Sequence, residues 1–302
     1  MGAIFGLALA RAGADVIFFD KRQDVVDAIA QRGLHVDGVS GKATACFSAT
    51  SLSTELGQVD VALVLADSNA TAEIASVAAL CLGQDGFALT LQNGIGNWEA
   101  LAARLGAERV LAGSTYNSGA NLGPGQVHHT DLGPTVIGEI GGQLSDRVRK
   151  IAQLLEAAGL PVEISDNVQG HIWSKFVHNC AINPVSAVTG LRPFEIAETA
   201  AASTLLDRLL DEILAVVAAA GIRLPEDDPR ELIHAHCREG SNRPSMLQHL
   251  ESGRRTEIDA LNAALVQRGQ DLGIATPFNE AIVLIVKALK AVARRGNKGA
   301  PE

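Results

Sequence analysis

A lysine flanked by amides on an otherwise apolar helix can receive a carbonyl group and a carboxylate together. The run His171-Ile172-Trp173-Ser174-Lys175-Phe176-Val177-His178-Asn179-Cys180-Ala181-Ile182-Asn183-Pro184 offers that combination. At helical spacing Lys175, Asn179 and Asn183 fall within about 80° of one another on one face. Pro184 disfavours helical geometry at Asn183, so the helix is expected to end or kink there and to free backbone carbonyls. A solvated stripe with an ordinary lysine has the same pattern. A second group is Gln92-Asn93-Gly94-Ile95-Gly96, where Asn93 stands at the carboxyl end of an apolar run, the usual place for a ligand in an open α/β sheet. Asn-Gly is equally a common turn signal. A third group joins Ser245 and Met246 to Thr256-Glu257-Ile258-Asp259-Ala260-Leu261-Asn262. Thr256 with Asp259 reads as a helix cap, which would put Glu257 in a first turn where a carboxylate is favoured anyway.

The elements that must position these groups follow from periodicity. Helical patterns at Ala3–Arg11, Val25–Arg32, Ala72–Leu82 and Trp98–Leu105 alternate with the apolar runs Asp15–Asp20, Val59–Leu65 and Gly86–Leu91. Alternation at this spacing predicts βαβ crossovers and a parallel sheet covered on both faces, a doubly wound, Rossmann-like α/β arrangement. From Val110 to Ile140 the chain is Gly-rich and β-like, and Leu144–Ala158 is a further helical run before the short strand Val162–Ile164. Beyond Asp166 only helical patterns follow: Val168–Ile182, Phe194–Ala220, Asp228–Glu239, Thr256–Leu272 and Phe278–Arg294, punctuated by Gly and Pro. The expected division is a dinucleotide-binding domain over 1–166 and an all-helical domain over 167–302 for substrate binding or dimerisation. The end from Gly296 to Glu302 reads as frayed.

Composition narrows the class. The chain has 302 residues, 47% of them hydrophobic and 20% charged, enough for two cores and incompatible with a disordered chain. A formal net charge of −9 argues against nucleic acid as a partner. No apolar run reaches membrane-spanning length, and the four cysteines lie far apart with no C-x-x-C pair, as expected of reduced thiols in the cytoplasm. His128-His129 and His234/His236 are spaced so that neither pair shares a face, so no metal is expected.

Taken together, the three groups resemble the ketopantoate reductase (2-dehydropantoate 2-reductase) family from Met1 to about Arg294. W-x-K-x-x-x-N-x-x-I-N-P is matched by Trp173–Pro184, N-G-x-G by Asn93–Gly96, and T-E-I-D-x-x-N by Thr256–Asn262. S-M-x-x-D is matched in part, with His249 in place of the acid. The resemblance implies NADPH-dependent reduction of 2-dehydropantoate to pantoate, with NAD as the other possible cofactor. It implies Lys175 as general acid and Asn93 beside nicotinamide and substrate. Asn179, Asn183 and Ser245 would hold the substrate's carboxylate and hydroxyl. Glu257 would reach the cofactor's ribose, and Gly119 would also lie on the cofactor side. The implied partner is a small 2-oxo acid. Independently of the resemblance, the apolar residues Ile282, Leu284, Ile285 and Leu289 near the end suit either a homodimer or ordinary core packing.

Three departures bear on this expectation. The chain opens on a helix, and Gly2 reads as the last glycine of a G-x-G-x-x-G fingerprint whose first strand and first two glycines are missing, as when an internal methionine is taken for the start or the chain is genuinely divergent. The absent strand would leave its neighbours with unpaired backbone groups. Asp20, at the end of the next strand, suits a ribose 2′-hydroxyl and hence NAD, whereas Lys21 and Arg22 suit the 2′-phosphate of NADP. Ala66-Asp67 stands where the family often has a lysine, and Asp67 would repel that phosphate. The alternatives are therefore a reductase of another 2-oxo acid, or a helical dimer without cofactor.

Overall fold

The computed structural model describes residues 1–296; the expected frayed end beyond Gly296 lies outside the described residues. The chain divides into two compact units, Met1–Gln169 and a second beginning at Gly170.

In the first unit, strands β1 (Ile17–Phe19), β2 (Leu34–Gly38), β3 (Ala43–Ala45), β4 (Ser48–Thr50), β5 (Val59–Val64), β6 (Leu82–Thr90), β7 (Val110–Thr115), β8 (Ser118–Gly123), β9 (Gln126–Asp131), β10 (Thr135–Glu139) and β11 (Val162–Ile164) are interleaved with helices α1 (Gly2–Arg11), α2 (Gln23–Arg32), α3 (Thr71–Cys81), α4 (Asn97–Leu105) and α5 (Asp146–Ala157). The main sheet has the order β11-β10-β7-β6-β5. It is parallel through β5, β6 and β7, while β10 reverses against β7. The expected parallel sheet is thus mixed at that end, because the short connection through β8 and β9 returns the chain without a crossover helix. β1 and β4 form a separate parallel pair. Among the described residues β1 is bonded only to β4, and β5 only to β6. A third, four-stranded sheet has the order β3-β2-β9-β8; β8 and β9 lie in the segment read as β-like, whereas β2 and β3 fall on residues that periodicity left without assignment.

Both faces of the main sheet are covered. Ile4, Phe5 and Leu7 of α1 and Val148, Ile151 and Leu155 of α5 pack with Leu89, Leu111 and Ile137. Ala75, Ala78, Leu101 and Leu105 of α3 and α4 pack with Val64, Ala88 and Val110 on the other face. Gly6 allows α1 to lie against β1, since a Cβ there would come within 2.3 Å of the Phe18 ring.

The second unit is helical: α6 (Val168–Thr189), α7 (Pro193–Glu198), α8 (Ala200–Ala219), α9 (Pro229–Glu239), α10 (Ser245–Glu251), α11 (Ala264–Leu272) and α12 (Pro277–Gly296). Its buried apolar residues include Phe176, Ile182 and Val185 of α6, Leu206, Leu209, Ile213 and Val216 of α8, Leu265 of α11 and Val286 of α12. No helix among the described residues is long and apolar enough to cross a membrane.

Three expectations are corrected here. α6 does not stop at Asn183 but continues through Pro184 to Thr189. The single helix expected over 194–220 is interrupted at Thr199, whose extended backbone separates α7 from α8. The segment expected to start as a capped helix at Thr256 opens instead with a π-helical turn, Asp259–Ala263. Thr256 Oγ1 is buried with no hydrogen-bond partner, so it does not cap. In its place the carbonyl of Glu257 accepts the N–H groups of Ala260 and Leu261, each at 3.0 Å.

Candidate active site

In the second unit the site is built on α6. Its apolar residues Phe176, Val177, Ala181 and Ile182 are buried, which fixes the rotation of the helix and places Lys175, Asn179 and Asn183 on one face. Burial pushes the Lys175 ammonium down to about 8, and the negative charge of Glu257 opposes that shift. The structure therefore brings Lys175 and Glu257 into electrostatic contact across 82 residues of sequence. Asn183 is buried, at 7% exposure, and Ser245 is exposed at the first position of α10. Asn179 is hydrogen-bonded to His178. The His178 ring stands edge-on to His236 of α9, centroids 4.3 Å apart. Burial first, then the neighbouring His236 and Lys175, hold His178 down at about 4, so it is neutral near pH 7.

A proline inside a helix removes the N–H that the carbonyl four residues back would accept. For Pro184 that carbonyl belongs to Cys180, and Asn262 Nδ2 donates to it at 2.9 Å. This replacement partner lets α6 continue where an end was expected.

In the first unit the site is the loop after β6. Gly94 and Gly96 have φ of 89° and 85°, a region in which a side chain would be strained, so the N-G-x-G spacing is a backbone requirement. The carbonyl of Asn93 accepts from Ser68 Oγ at 2.5 Å and from Asn97 Nδ2 at 2.9 Å. Thr71 Oγ1 donates to Asn97 Oδ1 at 2.8 Å and accepts from Gln92 Nε2 at 3.0 Å. A hydroxyl-and-amide clamp thus fixes the loop at the carboxyl ends of β5 and β6.

Of the residues expected to hold a dinucleotide, Gly2, Asp20, Lys21, Asn93 and Gly119 lie in the first unit, and Glu257 lies in the second. Gly2 begins α1, where no side chain caps the helix, and a Cβ there would meet no atom within 4 Å. An uncapped helix start with that opening suits a phosphate group. Gly119 on β8 faces α1, where a Cβ would come within 2.7 Å of Ile4 Cδ1. Asp20 follows β1 and accepts the N–H of Arg22 at 2.9 Å. Lys21 pairs with Glu73 at 3.5 Å, and Arg22 grips Asp24 with two nitrogens. Asp67 accepts the N–H of Asn69 at 2.9 Å at the end of β5.

Residues 1–142 match the family described as ketopantoate reductase PanE/ApbA, and residues 167–290 match its C-terminal counterpart. A 2-dehydropantoate 2-reductase of Archaeoglobus fulgidus is 30% identical over 293 residues, covering 96% of this chain and 95% of its own length. The chain belongs to the ketopantoate reductase family. A ketopantoate reductase structure from Ralstonia eutropha JMP134 superposes with a TM-score of 0.88 at 32% identity, covering 97% of this chain and 96% of that one. A D-mandelate dehydrogenase solved with NADH and anilino(oxo)acetate has a TM-score of 0.88 at 26% identity, with the same 97% and 96% coverage. The family is one of oxidoreductases.

Sequence reasoning did not single out Ser68, Asn97, Glu212 or Asn279. For Asn97 a signal existed, since it lies four residues after Asn93 at the start of α4. For Glu212 and Asn279 the signal was a polar residue at an apolar position. Glu212 shares the buried face of Leu209, Ile213 and Val216, and Asn279 that of Ile282 and Val286.

Proposed function

We propose that this chain reduces 2-dehydropantoate to pantoate with NADPH. The first unit holds the dinucleotide and the second holds the 2-oxo acid. The observation that carries the reading is Lys175, a half-buried lysine whose ammonium is pushed down to about 8 by desolvation, on one helix face with two amides. Near pH 7 such a group is still charged yet close to releasing its proton, as a general acid must be. When bound, the reduced nicotinamide supplies a hydride to C2 of the ketone. Lys175 polarises the carbonyl oxygen and gives it a proton as negative charge develops there, then regains a proton from solvent. Asn179, Asn183 and Ser245 orient the carboxylate and hydroxyl so that C2 is presented in one way. Asn93, fixed through its carbonyl, borders nicotinamide and substrate. Gly2 and the start of α1 receive the pyrophosphate with Gly119 alongside, while Asp20 and Lys21 address the adenosine ribose. Glu257 keeps Lys175 charged and faces the nicotinamide ribose. The exposed Leu284 and Ile285 of α12 support a homodimer, whereas Ile282 is buried in the core.

One observation favours a second reading, an NADH-dependent reductase of another 2-oxo acid. Lys21 and Arg22 are already engaged by carboxylates, and Asp20 adds negative charge beside Arg22. The D-mandelate dehydrogenase solved with NADH shares the fold at 26% identity. Fluorescence titration with NADPH and NADH, followed by turnover of 2-dehydropantoate and of aryl 2-oxo acids, separates the two. Preferred NADPH binding with pantoate formation supports the first reading. NADH binding with turnover of another acid replaces it with the second, and binding of neither cofactor overturns both.

A further inference from the structure

The last asparagine of the Thr256–Asn262 motif is fully buried. Both of its amide hydrogens are used within the second unit, one on the Cys180 carbonyl and one on Asn279 Oδ1, each at 2.9 Å. Asn279 is in turn held in one orientation. Its side-chain nitrogen donates to Glu212 Oε2 at 2.7 Å, which leaves Oδ1 facing Asn262. Glu212 is anchored at the start of α12, accepting the N–H of Phe278 at 2.8 Å and that of Asn279 at 2.9 Å. A carboxylate at a helix N-terminus is favoured by the backbone dipoles there. The chain of contacts therefore runs from α8, through the start of α12 and the π-helical turn, to the carbonyl that Pro184 leaves without a helical partner.

Two of the segments that this chain joins carry the two charged groups of the site. α6 carries Lys175 five residues before Cys180. The segment holding Asn262 carries Glu257 five residues earlier, and its π turn is closed by the Ala263 N–H on the Ile258 carbonyl at 3.0 Å. Wide turns of this kind recur beside functional sites. An amide between the two segments fixes their spacing, and the attraction between two charges depends on that spacing.

We propose that Asn262 is a positioning residue. By serving the Cys180 carbonyl it locks the helix bearing Lys175 to the turn bearing Glu257, and so sets the coupling between the two. This inference rests on the reading of Lys175 as the general acid, yet it can be tested without turnover. The readout is the pH at which Lys175 is half-modified by a water-soluble amine-acylating reagent, followed peptide by peptide by mass spectrometry. In the otherwise unchanged protein Glu257→Gln is expected to move that pH downward, since the Glu257 charge opposes the effect of burial. In an Asn262→Ala background the same substitution is expected to move it by less than half as much. An undiminished shift would make Asn262 a packing residue only and overturn the proposal.

Pro184→Ala guards against loss of folding, because it restores a backbone N–H to the Cys180 carbonyl. The Pro184→Ala/Asn262→Ala protein is expected to fold while the Glu257-dependent shift stays reduced. If it fails to fold where Pro184→Ala alone succeeds, the bare carbonyl is not what Asn262 serves, and the proposal falls. Absence of 2-oxo acid turnover with the labelling result intact would count against the proposed reaction and leave the positioning role standing.

Discussion

The candidate residues of the first unit and those of the second are held by different kinds of polar network. Around Asn93 the donors are neutral and come from residues 68 to 97, and two of them converge on one carbonyl. Around Lys175 the contacts run in single file from Cys180 through Asn262 and Asn279 to a buried carboxylate, Glu212. A redundant local clamp tolerates loss of one member, because the remaining donor still satisfies the acceptor. A single-file network ending in a charge does not, since each deletion leaves a buried group without its partner. The first arrangement fixes a backbone loop against which a flat ring system can lie. The second fixes a charge, whose effect depends on distance and burial.

The largest expected effect tests what the second network is for. Lys175→Met should lower turnover by about 10²- to 10⁴-fold, the usual contribution of a positioned acid. Thermal stability should not fall, because a half-buried ammonium is replaced by an apolar chain. Activity lost together with folding would mean that Lys175 is structural. The pH profile adds a signed version of the same test. The acid is competent only while protonated, so kcat/KM in the unmodified enzyme should decline as pH rises through about 8. Glu257→Gln should bring that decline to lower pH. A shift to higher pH would show that Glu257 does not act on Lys175 through its charge.

Next in size is the difference in fragility. Glu212→Ala removes the acceptor for Phe278 N–H, Asn279 N–H and Asn279 Nδ2 together. The two Asn279 donors are buried, so at about 1–3 kcal/mol for each buried donor left unpaired the loss should be at least about 2 kcal/mol in urea unfolding followed by circular dichroism. Glu212→Gln keeps one acceptor oxygen and should recover part of it. In the first unit Ser68→Ala and Asn97→Ala should each cost only about 1 kcal/mol. The pair together should exceed the sum of the singles, because the Asn93 carbonyl then loses both donors. Additive losses would mean that the clamp is not redundant.

The same contrast governs what the sequence disclosed. The alternation of strands and helices was legible because each element buries a periodic apolar face, and the site loop was legible because Gly94 and Gly96 meet a local backbone need. Lys175, Asn179 and Asn183 were legible as a stripe on one helix. What was not legible depends on distant partners. Pro184 predicts a helix end when only its own neighbourhood is considered; the continuation to Thr189 depends on Asn262, a donor 82 residues from the Cys180 carbonyl that it serves. Thr256 and Asp259 spell a cap, but Asp259 is drawn to Lys287 of α12 at 2.7 Å, and the segment winds as a π turn instead. Glu212, Asn262 and Asn279 each occupy an apolar position of their helix, a local inconsistency that marked them as partners in something without saying which.

The smallest expected effect lies at the surface end of the comparison. The Lys21–Glu73 pair is exposed on both sides and 3.5 Å long. Such pairs contribute about 0–1 kcal/mol, so Lys21→Ala should leave stability unchanged within about 0.5 kcal/mol. Its consequence should appear in cofactor choice alone. If Lys21 leaves Glu73 to hold a 2′-phosphate, the substitution weakens NADPH by about tenfold, some 1.4 kcal/mol, and leaves NADH unaffected. If neither cofactor responds, the strand end is governed by Asp20, and the NADH-dependent reading gains the advantage. Either result keeps stability and selectivity separate at this strand end, because an exposed pair can change partner without unfolding anything.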